Sequence, residues 1–236
     1  MDAGRVQDVR RAVHPGLTMG LLVEVRDRAL KRPWLLLAPL LGLLGQNLIS
    51  LLPPGAVALK ILLAALMTAA VTTFFAELWL GDGKSVDPGR FVETGTVFLL
   101  PYPLLLLFGG VTAPLVYWIL RADAPPAASL GALYLIIAAG KLAAFAAGAV
   151  SSIAAVRRRE SVGALGALLL GARTVGANIG FFFFALAGLW VFQEACVFLA
   201  RSLAPGLLPG FFTTAIALVG CVALPIEAWR SGRLTR

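Results

Sequence analysis

From Ser129 to Arg159 the chain is apolar apart from a single charge, Lys141, and the run closes on Arg157-Arg158-Arg159. Such a run exceeds the roughly 20 residues a helix needs to cross a bilayer. Three consecutive arginines are not drawn through hydrocarbon, so the run predicts a membrane helix whose arginine end stays in the cytoplasm. The rest of the chain has the same character: 59% of the 236 residues are hydrophobic, 14% are charged, and the mean hydropathy is +0.89. A soluble domain carries more charge than that. The formal charge of +8 does not indicate nucleic acid, because the basic residues sit at the ends of apolar runs and form no basic, aromatic-studded groove. Cys196 and Cys221 both lie inside apolar runs, where a cysteine behaves as a small hydrophobe, so neither a disulfide nor a metal site is expected. The first apolar run begins near Pro33 with no small-residue cleavage site behind it, and is expected to persist in the mature protein.

The expected fold class is all-α: a polytopic membrane helix bundle of about six transmembrane helices plus an N-terminal interfacial helix, N-in and C-in. Residues 1–32 read as a cytoplasmic tail followed by an amphipathic segment in which Leu22, Val25 and Ala29 recur at helical spacing among Glu24, Arg26, Asp27, Arg28, Lys31 and Arg32. Residues 33–230 form the membrane domain and 231–236 a cytoplasmic tail. Its spans are expected over Trp34–Leu52, Ala56–Leu80, Thr96–Leu120, Ser129–Arg159, Val175–Ala200 and Leu208–Trp229. Pro33 breaks the segment before the first span, and Gln46 and Asn47 within it are expected to face the bundle. Pro101, Pro103 and Pro114 predict a kink or local unwinding in the third span, near Pro101-Tyr102-Pro103. The stretch Glu160–Thr174 is too short to cross by itself. Of the twenty basic residues, this layout places sixteen on one side and Lys60, Arg121 and Arg201 on the other, with Lys141 in the membrane. That bias sets the expected orientation. A weak internal repeat accompanies it: Ser85-Val86 and Gly95 match Ser161-Val162 and Gly171 at an offset of 76, suggesting two units of the same orientation.

Catalytic constellations are missing from the sequence. The one histidine, His14, lies in a polar tail, which excludes histidine triads and HExxH zinc chemistry, and neither GxSxG nor a P-loop occurs. The chain therefore reads as a non-enzyme with no cofactor and no metal. The best candidate for function is Lys141, whose charge at mid-helix costs roughly 2.5 to 3.5 kcal/mol on insertion scales and so calls for a partner. Glu194 on the following span is the nearest candidate, with Gln193 or opened carbonyls of the third span as alternatives. Glu77 and Glu227 stand at inner helix ends and are expected to meet arginines or water; Asn178 and Phe181 to Phe184 read as packing and lipid contact.

The order GDGKSVDPGRFVETGTVFLLPYPLLLL at Gly81 to Leu107, the later ESVGALGALLLGARTVGANIGFFFF and the closing AWRSGRLTR resemble a pattern in an uncharacterised family of bacterial six-helix membrane proteins. That family is related to the membrane domain fused to some glycerophosphodiester phosphodiesterases. The resemblance implies a fold and a multi-pass place in the bacterial cytoplasmic membrane, and no catalytic residues. Two functions remain in view. One is a non-enzymatic membrane protein that organises lipids or membrane partners, with anionic head groups at its cytoplasmic face. The other is a permease subunit working with a separate ATPase, with Lys141 in its pathway.

Overall fold

The computed structural model describes residues 15–81, 87–121, 127–158, 163–203 and 206–234. Residues 1–14 with His14, both pairs Ser85-Val86 and Ser161-Val162, and Arg159 lie outside the described residues. Among those described there is helix and no strand. Helix α1 is Pro15–Leu30; a 3-10 turn at Pro33–Leu36 leads into α2, Leu37–Ser50. Then come α3 (Val57–Leu80), α4 (Pro88–Leu99), α5 (Tyr102–Arg121), α6 (Ala127–Arg158), α7 (Ala164–Ala177) and α8 (Ile179–Leu203). Helix α9 (Leu207–Leu218) runs through a π-helical turn, Val219–Ala223, into α10 (Leu224–Arg230). Six of the resulting helical segments are long and apolar enough to cross a membrane: Pro33–Ser50, Val57–Leu80, Pro88–Gly109, Ser129–Arg158, Ile179–Ser202 and Leu207–Arg230.

The elements repeat. A long helix, a half-length helix and a second long helix occur as α3–α4–α5 and again as α6–α7–α8, and α4 and α7 begin 76 positions apart. At about 1.5 Å per residue, α4 and α7 are each roughly 20 Å long, short of the ~30 Å hydrocarbon core. The matched glycines both face the long helix before them, Gly171 tightly against the backbone of Val150 in α6 and Gly95 loosely against the Thr73 side chain of α3. Only the approach of α7 to α6 requires its glycine. The third span thus differs from the expected Thr96–Leu120: it starts earlier, at Pro88, and breaks at Leu100-Pro101.

Two breaks are repaired by adjacent serines on α6. Proline has no N–H, so Pro101 leaves the carbonyl of Val97 without its helical donor, and Pro225 does the same to Cys221. In hydrocarbon such a carbonyl must find another donor. Ser151 Oγ donates to Val97 O at 3.1 Å and Ser152 Oγ to Cys221 O at 2.7 Å. Both side chains are fully buried. Gly148, one turn earlier on the same helix, admits the Cys221 side chain, which would stand 2.6 Å from a Cβ placed there. Ser152→Ala should therefore lower stability by about 1–2 kcal/mol, read as a fall in the thermal midpoint in detergent; an unchanged midpoint would show that the carbonyl has another donor.

At the end of the bundle where α1 and α10 meet, the arginines hold protein groups. Arg32 donates to the carbonyls of Leu78, Trp79 and Gly81 at 3.3, 3.3 and 2.8 Å, and Arg230 donates to Leu80 O at 3.1 Å, so two cations satisfy the open C-terminus of α3. Glu227 accepts from Arg28 and, at 2.9 Å, from Trp79 Nε1, and lies 3.6 Å from Arg230. Arg157 stacks 4.4 Å from the Trp229 ring, and Arg233 meets Glu24 at 2.6 Å. The expectation that Glu227 meets arginines matches this geometry, while Glu77 accepts from Thr94 Oγ1 at 2.7 Å. Leu21 and Val25 of α1 are buried against the bundle. The helix is docked through that face, with Arg28 reaching over it to Glu227.

Candidate binding cavity

Six long helical segments do not fill their own centre. A cavity of about 520 Å³ lies among α2, α3, the end of α4, α5, α6, α8 and α9, walled mainly by apolar side chains such as Phe98, Leu105, Phe145 and Leu218. That volume is in the range of small-molecule sites, which are typically apolar with a few placed polar groups. Here the polar groups come from every wall: Gln46 on α2, Thr68 and Thr72 on α3, Tyr102 on α5, Lys141 and Ser151 on α6, Gln193 on α8, and Thr213 and Thr214 on α9. The break at Leu100-Pro101 borders it, since Pro101 and Tyr102 are lining residues. The opening arises because α5 packs chiefly on α6, and α6 makes few contacts with α8.

Of the three residues singled out in the sequence, Lys141 and Gln193 line this cavity and Glu194 is joined to it through Lys141. Lys141 Nζ pairs with Glu194 Oε1 across the α6–α8 gap and lies 5.2 Å from the centroid of the Trp190 ring. Trp190 Nε1 donates to the same carboxylate oxygen at 3.0 Å. The lysine is thus both paired and a cavity residue, whereas Glu194 sits outside the lining with its side chain half exposed. Gln193 is buried at 6% exposure and lines the cavity, and its Oε1 has no hydrogen-bond partner. An apolar enclosure normally penalises such an oxygen by about 1–3 kcal/mol. Lys141→Ala leaves the half-exposed Glu194 carboxylate with Trp190 as its donor and should cost about 1 kcal/mol, while Lys141→Ala with Glu194→Ala should recover most of it. Equal midpoints for the single and double variants would contradict the pairing.

Gln46 lines the cavity and Asn47 does not; both are exposed on α2, and the Asn47 carbonyl accepts from Ser50 Oγ at 2.6 Å. One residue of helix rotation, about 100°, separates the two faces. Asn178 is buried and donates Nδ2 to Thr174 O at 2.8 Å at the junction of α7 and α8. Of the phenylalanine run, Phe181 and Phe182 pack inward and Phe183 and Phe184 face out. The threonines of α3 and α9 and the serine pair of α6 were not singled out in the sequence. The signal for the serines was a hydroxyl pair inside an apolar run in a chain whose other spans contain prolines. No group of three or more metal-ligating side chains occurs among the described residues. No protein-family model, curated protein or solved structure matches this chain.

Proposed function

We propose that this is a non-enzymatic, multi-pass membrane protein that holds an amphipathic lipid in its central cavity. The observation that carries this reading is the cavity itself, a mainly apolar volume of about 520 Å³ with a few polar side chains in its wall. An apolar body would fill the volume and a polar end would lie beside Gln46, Tyr102 and Lys141. In this reading the protein lies in a bacterial cytoplasmic membrane, N-in and C-in, with its basic end toward anionic head groups and kinship to the six-helix group it resembles. The basic bias among its residues supports that orientation.

Extraction of lipid from the purified full chain provides the test. About one bound lipid per chain, beyond the detergent background, is expected for the unaltered protein, with a clear loss for Ala144→Phe, which puts a ring into the lined volume. Equal, non-stoichiometric lipid in both would overturn the reading. A transport subunit working with a separate ATPase is the second reading, favoured by the helix break that borders the same cavity as Lys141. Co-purification of a nucleotide-binding subunit whose ATPase activity depends on Lys141 would decide for it.

A further inference from the structure

The packing of the spans places the cavity in one half of the membrane and so names the leaflet that supplies its occupant, an inference that rests on the lipid-site reading. Burial is uneven along the walls. On α3 no residue of 57–68 is buried, and the buried side chains run from Ala69 to Leu80; on α6 none of 129–144 is buried, and they run from Phe145 to Ala155. Residues 46–50 of α2 and 207–215 of α9 likewise contain no buried position. In each of these helices the buried part is the one toward the arginine end.

The cavity begins where that core stops. Its floor is made by Phe98, Phe145, Ser151 and Leu218, all buried. Phe145 and Leu218 stand 13 and 12 residues from Arg158 and Arg230, which is about 18–20 Å along their helices and more than half the depth of a ~30 Å hydrocarbon core. Beyond the floor, Gln46, Ala64, Thr68 and Ala144 line the cavity and are exposed at the same time. The space is closed toward the arginines and open away from them.

Two seams flank the α5–α6 pair. Across α6–α8, Lys141 pairs with Glu194 and Trp190 donates to the same carboxylate, so polar groups bridge that seam. Across α3–α5 there is no ion pair among the described residues, and Tyr102 approaches the Thr68 side chain. Helix α5 packs chiefly on α6, has no extensive contact with α3, and among its described residues buries Ile119 alone. Thr68 on one side of this seam and Tyr102 and Leu105 on the other face the cavity. Farther along, the seam is flanked by exposed Leu59, Leu62, Val111 and Leu115, a surface suited to hydrocarbon rather than water.

The wall on that side is also the one free to move. Pro101 has no N–H, and Val97 O is held by Ser151 of α6, so α5 can turn about Leu100-Pro101 without giving up a helical bond at that step. A helix with few buried contacts is displaced at little cost. We propose that a lipid chain enters the cavity sideways between α3 and α5, from the leaflet opposite the arginine end, with α5 as the moving wall.

The test places the full chain in sealed vesicles, with a protease site after Arg236 that reports on which side each molecule's arginine end lies. A phospholipid with a diazirine at the end of its acyl chain is delivered to the outer leaflet alone, and crosslinks are located by mass spectrometry after illumination. Crosslinks at the buried floor residues Phe98, Phe145 and Leu218, which lipid around the protein does not touch, are expected in molecules whose arginine end faces the lumen. Molecules in the opposite orientation should lack them. Thr68→Trp, which sets an indole in the seam, should lose most of this labelling, whereas Leu107→Trp, at an exposed position of α5 outside the cavity, should keep it. The comparison of orientations stands whether or not Thr68→Trp folds. Equal floor labelling in both orientations, labelling only with the arginine end outward, labelling unchanged by Thr68→Trp, or none in a chain that carries lipid would overturn the route and leave the lipid-site reading intact. No labelling together with no co-purifying lipid would overturn both.

Discussion

Glu227→Ala should be the most damaging single substitution at the basic end of the bundle. The carboxylate is buried and receives Arg28 from α1, Trp79 Nε1 from α3 and Arg230 from its own helix, so three elements converge on one side chain. Its removal takes the anion from Arg28 and the acceptor from a buried indole N–H. Breaking a buried ion pair from one side costs about 3–5 kcal/mol, and a fall in the thermal midpoint of about 10 °C is expected for a chain of this size. A local readout separates this from general damage. With Arg28 released, α1 should detach and trypsin should cut after Arg28 or Lys31, whereas in the unaltered chain Arg28 is held on Glu227. Glu227→Gln keeps an acceptor for Trp79 and should fall between the two. A Glu227→Ala protein that melts with the unaltered one and resists trypsin would remove this carboxylate from the account of how α1 is held.

The second large effect is expected at Gly171. A Cβ there would stand 2.6 Å from the carbonyl oxygen of Val150 and 3.4 Å from the nitrogen of Ala154, both backbone atoms of α6. No rotamer change can move them, so α7 must lift off α6, where it makes its most extensive contact. Gly171→Ala should cost about 2–3 kcal/mol. Gly95→Ala, at the matching place in the first unit, meets only the Thr73 side chain at 3.7 Å and should cost less than about 1 kcal/mol. Gly45→Ala also belongs with the mild changes, because the atoms it meets belong to the end of Met67. Similar melting of the Gly171 and Gly95 variants would contradict the close α6–α7 approach.

The contrast between the matched glycines shows what the sequence could and could not carry. The number of spans and their rough limits were legible because bilayer thickness acts on each run locally. The offset of 76 was legible as three matches, and the structure gives it a physical form in two half-length helices that begin the same distance apart. Lys141 was legible because a charge in an apolar helix requires a partner, and Glu194 lay within reach on the next span. The serine pair was not legible. Ser151 and Ser152 acquire their role only when α6 is placed beside both Pro101 and Pro225, on helices far apart in the chain. Likewise, the docking of α1 depends on Glu227, almost the whole length of the protein away. Beyond the expectation that Glu77 and Glu227 meet arginines or water, the arginines were read as topology; Arg32 and Arg230 also cap the end of α3, a role that a count of charges does not contain. The cavity was least legible, because a void depends on where several helices fail to touch.

That cavity is the centre of the account, and the most direct measurement is an experimental density map of the protein in a lipid nanodisc. An elongated density between α3, α6, α8 and α9, with its polar end beside Gln46, Tyr102 or Lys141, is the predicted result. A collapsed centre, with Gln193 paired to another side chain and no density beside Lys141, would contradict the account.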